Sequence, residues 1–238
     1  MTRKQTEKFI KLQISDRLPE YHVRGHELFA VPIGLMFNTI AFGSSSWEKN
    51  AFSHVYADCL ALWVRQGCAA FSHPIDLSSV RSLRRIGMGW TKDPAEIPWM
   101  KLIEHIALPM FSRIGTPLGL LDQLTSLMDD EAVSNGYEAG YQPGAAVLEE
   151  LAGAAIICCR LEEAAKHLAA AIDCYVKHPE FMDDPTYWGV KKLDDLRLLE
   201  KKLNRSRGDA IDLLKEWDAF TVASLKLEPF LAPNRWDV

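Results

Sequence analysis

The sequence predicts an α+β protein: a small antiparallel sheet in the N-terminal half, covered by helices, and a mostly α-helical C-terminal half. Three observations carry this. Apolar residues alternate over 27–42, the period of two that a strand requires, and 51–64 has the aromatic and β-branched content of a second strand. From Glu96 onward they recur at intervals of three and four, the period of a helix. Within that second half, 148–176 reads as two helices back to back, with small residues where a packed hairpin needs them.

Taken in order, Phe9, Ile10, Leu12, Ile14 and Leu18 give residues 2–17 a helical face, and Pro19 ends it. Phe29, Val31, Ile33, Leu35 and Phe37 then alternate. Pro32 and Gly34 interrupt them, which predicts a bend or two short strands. Ser44, Ser45 and Ser46 after Gly43 signal a turn. Over 51–64, Phe52, His54, Tyr56, Asp58 and Leu60 suit one face of a strand, while Phe52, Val55, Cys59 and Leu62 suit a helical stripe; the aromatic and β-branched content favours strand. Leu83, Ile86 and Met88 make 79–90 a third strand candidate, weakened by Gly87 and Gly89. Strands joined by short loops form a meander.

Trp99, Leu102, Ile103, Ile106 and Met110 keep helical spacing, with Pro109 expected to kink or break the run. Thr116-Pro117 is a helix start, threonine as cap and proline in the first helical position. Leu118, Leu121, Leu124 and Met128 follow as its stripe. Residues 129–143 are a polar, glycine-containing connection, so we divide the chain into a sheet-bearing part, 1–130, and a helical part, 140–227, within one or two domains. Helices are expected at 144–158, 161–177, 186–204 and 207–223, and an extended tail from Glu228.

Composition narrows the function classes. A net charge of −5 argues against a nucleic-acid binder, which carries a basic face. The one basic cluster, Arg81, Arg84 and Arg85, reads as solvated strand or loop charge. The N-terminus lacks the apolar core of a secretory signal, and the longest apolar run, 28–37, is too short for a membrane helix. The cysteines, Cys59, Cys68, Cys158, Cys159 and Cys174, are odd in number and include no CxxC pair, which suits a reducing cytoplasm. Cys158 and Cys159 read as small buried fillers in mid-helix.

Residues that could carry chemistry are few. His22 and His26 have the i, i+4 spacing of two metal ligands on a helix, but Gly25 and the strand that follows oppose a helix there. The acidic pairs Asp129-Asp130, Glu149-Glu150, Asp183-Asp184 and Asp194-Asp195 diverge by about 100° on a helix. They read as solvated faces, or as an acidic patch for a basic partner. Ser44 to Ser46 lack a hydrolase elbow, Gly87-Met88-Gly89 lacks the third glycine of a dinucleotide loop, and nothing activates Cys68.

Two resemblances carry further expectations. Leu148, Leu151, Ala152 and Ala155, followed by Leu161, Ala164, Leu168 and Ala171, resemble one tetratricopeptide-type hairpin of about thirty residues, without the aromatic positions of that consensus. The whole chain is similar in layout to uncharacterised bacterial proteins of immunity type, encoded beside toxins of contact-dependent or type VI secretion systems. The layout is an N-terminal helix, a strand pair around 29–42 and 52–63, a glycine-rich strand at 85–90, and a Leu108-Pro109-x-x-x-x-Ile114-Gly115-Thr116-Pro117 element before a helical half. The resemblance implies an inhibitor of one cognate toxin and assigns no residue a role.

The expectation is therefore a cytoplasmic, non-enzymatic protein-binding protein with no cofactor or metal. Asp129, Asp130, Tyr137, Tyr141, Asp183, Asp184 and Trp188 are its candidate interface, because aromatic and acidic residues gather there near loops and helix ends. Its partner is a protein, with neither nucleic acid nor membrane involved. The alternatives are a metal-dependent hydrolase or transferase with a dispersed site around His22 and His26, and a helical-repeat adaptor for a peptide.

Overall fold

A computed structural model describes residues 3–44, 52–66, 73–88, 97–129, 144–177 and 188–237. They form an α+β protein of two compact units. One takes Met1–Leu60, Ala70–Thr116 and Pro229–Arg235; the other takes Ala61–Ala69, Pro117–Glu228 and Trp236–Val238. Most of the expected 129–143 connection lies outside the described residues.

In the first unit, helix α1 (Arg3–Gln13) sinks Ile10 and Ile14 and packs on strand β1 (Tyr21–Arg24). Strands β2 (Glu27–Ala30), β3 (Met36–Ser44), β4 (Phe52–Ala61) and β5 (Ile75–Asp76) follow, each beside its predecessor in chain order. The described pairings, β1–β2, β2–β3 and β4–β5, are antiparallel, so the meander stands. Gly25, at φ 66, and His26 make the two-residue turn between Arg24 and Glu27. The interruption at Pro32 and Gly34 splits the alternating run into β2 and β3, as expected. Phe29, Phe37, Ile40 and Phe42 are buried, with Phe29 and Phe37 ring centroids 5.2 Å apart. Residues 57–61 of β4 are buried without alternation, because both faces of that strand are covered.

The third expected strand is a helix. Residues 79–88 hold α2 (Val80–Arg85), β5 lies just before it, and Gly89 and Trp90 lie outside the described residues. Ser79 caps α2 by accepting from the Ser82 N–H at 3.2 Å, and Gly87 ends it at φ 75 while Met88 N–H reaches back to Leu83 carbonyl at 3.0 Å. These end signals outweigh three apolar residues whose spacing serves either element. Arg81, Arg84 and Arg85 are solvated, on a helix rather than a strand.

Pro109 does not break its helix. α3 (Trp99–Leu102) runs through a π-helical turn (Ile103–Ala107) into α4 (Leu108–Ile114), and Leu108 N–H bonds Ile103 carbonyl five residues back. The wider turn makes room for the ring, and proline has no N–H to lose. The tail is also not one extended strand, but turns and then bridges to Ile33. After a 3-10 turn (Glu228–Phe230), Ile33 N–H donates to Phe230 carbonyl and Ala232 N–H to Ile33 carbonyl, both at 2.7 Å. Phe230 stands edge-on to Phe29.

The second unit is helical. α5 (Pro117–Asp129) starts where Thr116-Pro117 indicates. α6 (Ala145–Ile157), α7 (Leu161–Val176), α8 (Trp188–Leu203) and α9 (Arg207–Leu225) match the four expected helices. α6 packs on α5, α7 and α9, and every residue from Leu148 to Ile157 is buried. The expected small-residue stripe is the crossing of α6 with α7, where Ala152, Ala155, Ala164, Leu168 and Ala171 are buried; Leu161, at 42% exposure, is left out of it. Cys158 and Cys159 are not mid-helix fillers. They form the turn after α6, half-buried and exposed respectively, because Arg160 N–H closes a loop onto Ala155 carbonyl at 2.8 Å and stops the helix.

Candidate functional site

α6 has the sequence AAVLEELAGAAII, apolar all round except for Glu149 and Glu150. A helix apolar on every face is enclosed by protein, and it carries its two acids inside with it. Both are 2% exposed, and Asp195 on α8 is 8% exposed. This corrects the expectation that Glu149, Glu150 and Asp195 lie on solvated faces; Asp194 alone of the four is exposed.

A buried carboxylate requires a cation and hydrogen bonds. Lys192, one turn before Asp195 on α8, supplies them to Glu149, with Nζ 2.9 Å from Oε1 and 3.0 Å from Oε2. Its third donor goes to the Arg65 backbone carbonyl at 3.0 Å. An ammonium has three N–H groups, so all three are engaged by the chain. Arg65 extends the network to Asp195, Nη1 to Oδ1 at 3.3 Å, and lays its guanidinium 5.0 Å from the Phe220 ring centroid on α9.

The short segment 61–66 is thus tied to three helices. Beyond the Lys192 contact, Thr221 on α9 donates to Val64 carbonyl at 2.7 Å and accepts from Gln66 N–H at 3.0 Å. The Trp63 indole N–H donates to Glu150 carbonyl at 3.2 Å, an acceptor on α6. Trp63 is fully buried and its ring occupies the space a side chain at Gly153 would take.

The electrostatics follow from burial. It raises the Glu149 carboxyl to about 7; the charge and hydrogen bond of Lys192 oppose the rise, and Glu150 and Asp195 add to it. A carboxyl in that range could exchange a proton near neutrality. Here the carboxyl faces a lysine whose three donors are all engaged within the chain.

His22 and His26 are not brought together as ligands. His22, on β1, stacks against Phe230 with centroids 4.5 Å apart and against Phe29 at 5.3 Å, while His26 sits in the hairpin turn. Burial, Arg24 and Lys11 lower the His22 pKa. Among the described residues no group of three or more His, Cys, Asp or Glu could hold a metal ion. Of the candidate interface residues, Asp129 ends α5 and Trp188 begins α8; Asp130, Tyr137, Tyr141, Asp183 and Asp184 lie outside the described residues.

Comparison of this chain with family models, curated proteins and solved structures finds no match. Among the described residues no helix is long and apolar enough to cross a membrane.

Proposed function

We propose that this chain is a cytoplasmic, non-enzymatic protein-binding protein, most concretely an immunity protein that neutralises a cognate secreted toxin. The observation that supports it best is Glu149. A buried acid titrating near neutrality is where proton-transfer chemistry would be sought, and here it is committed with Lys192 to holding the 61–66 segment among three helices. That is scaffold work, the kind needed to present a fixed surface. The net charge of −5 suits a basic partner. Asp129, Asp130, Tyr137, Tyr141, Asp183, Asp184 and Trp188 remain the residues proposed to meet it.

The test is affinity capture of the tagged chain co-expressed with the product of its neighbouring gene. The expected result is a stoichiometric partner that is toxic when expressed alone and tolerated in the presence of this chain. Turnover of a substrate at enzyme-like rates by the purified chain, or unchanged toxicity on co-expression, would overturn the proposal.

A further inference from the structure

The turn between α6 and α7 places two free thiols side by side. Cys158 closes α6 and is half-buried; Cys159 follows it and is exposed. The turn is a complete helix-ending motif: Arg160 N–H bonds Ala155 carbonyl at 2.8 Å and Cys159 N–H bonds Ile156 carbonyl at 3.3 Å. Cys159 has φ 61, the left-handed position where glycine is the usual residue, as Gly87 is after α2. Backbone conformation and burial therefore both disfavour a cysteine at 159. Burial raises the pKa of the Cys158 thiol, Arg160 and Arg207 oppose the rise, and Asp122 and Cys159 add to it.

We propose that Cys158 and Cys159 form a vicinal dithiol site that chelates one soft thiophilic centre, a trivalent arsenical. Soft thiol ligands select such centres, and two thiols on adjacent residues bind one atom with the advantage of high effective concentration. A direct disulfide suits the pair less well. Adjacent α-carbons lie about 3.8 Å apart, below the roughly 4.4–6.8 Å that disulfides span, and an inserted atom enlarges the ring. With an aryl arsine oxide the step balances without an oxidant: two As–S bonds form, two S–H bonds and the As–O linkage break, and the two protons leave with the oxygen as water. Protonated thiols are the reactants, so a raised Cys158 pKa does not block it.

The experiment adds one equivalent of phenylarsine oxide to the purified full chain in excess glutathione and reads intact mass and free thiols. One arsenical per chain is expected, with two thiols consumed and release by 2,3-dimercaptopropanol. Cys158→Ser and Cys159→Ser should each lose retention by at least tenfold, while Cys68→Ser and Cys174→Ser keep it. Cys158→Ala, checked for native circular dichroism, separates a lost ligand from a folding defect. An adduct that survives either change at 158 or 159, one displaced by glutathione, or a native 158–159 disulfide in the purified chain would overturn the proposal.

Discussion

The Trp63 indole rests directly on Gly153: a Cβ built on Gly153 would lie well under 3.0 Å from the ring atoms Cδ1 and Nε1. Glycine in a helix interior ordinarily costs about 1 kcal/mol relative to alanine, so Gly153→Ala would stabilise an open site. Here the methyl displaces a fully buried ring whose N–H is hydrogen-bonded to Glu150 carbonyl. We expect a net loss of about 1–3 kcal/mol from overpacking, read as a lower urea midpoint. A midpoint at or above wild type would mean that the ring does not occupy this place.

Lys192→Met should cost more. It strands the Glu149 carboxylate in the interior and leaves Arg65 carbonyl without its donor. Breaking a buried pair from one side costs about 3–5 kcal/mol, and the loss should be smaller at pH 5, where the carboxyl can take a proton. The double change Glu149→Leu with Lys192→Met should recover most of it. Chemical denaturation of the two single variants and the double variant at pH 5 and pH 8 gives the cycle. A double variant as unstable as Lys192→Met alone would count against charge as the cause.

The same carboxyl sets a pH dependence. Its folded pKa of about 7 lies above the ordinary value of 4.5. Between those values the folded state binds more protons than the unfolded one, so stability falls as pH rises through the window and levels off above it. The drop attributable to Glu149 is roughly 3 kcal/mol. Wild type should therefore lose stability between pH 4.5 and pH 7 relative to Glu149→Gln, which has no such proton. Parallel stability curves for the two proteins would rule this linkage out.

Cys159→Gly should stabilise. The residue holds φ 61 with its motif intact, and a left-handed side-chain residue costs about 1–2 kcal/mol. Part of that gain returns to the unfolded chain through glycine's greater freedom, leaving about 0.5–1 kcal/mol. Thermal melting resolves a shift of that size, and a lower melting temperature would show that the thiol contributes native contacts.

The helices of the second unit were legible because their apolar periodicity is long and their ends are marked, Thr116-Pro117 most plainly. The six residues of α2 carry too little periodicity to separate helix from strand; Ser79 and Gly87, which decide it, are end signals. The site was hidden for a different reason. Glu149-Glu150 has the local pattern of a solvated pair, but the composition of α6 leaves no polar face for the two acids. Their partners could not be found this way: Lys192 and Arg65 meet Glu149 only through the packing of α6, α8 and the 61–66 segment, and nothing in local spacing encodes that meeting.

The hold of Phe230 and Ala232 on Ile33 sets an order of events during synthesis. The N-terminal unit includes Pro229–Arg235, so its strands leave the ribosome long before the last piece of the unit exists. Contacts between distant parts of a chain form slowly, and a half-built unit exposes apolar surface while it waits. A chain cut before Pro229 would lack part of the unit that holds the sheet. Residues 229–235 thus complete a unit whose strands are made far earlier in the chain.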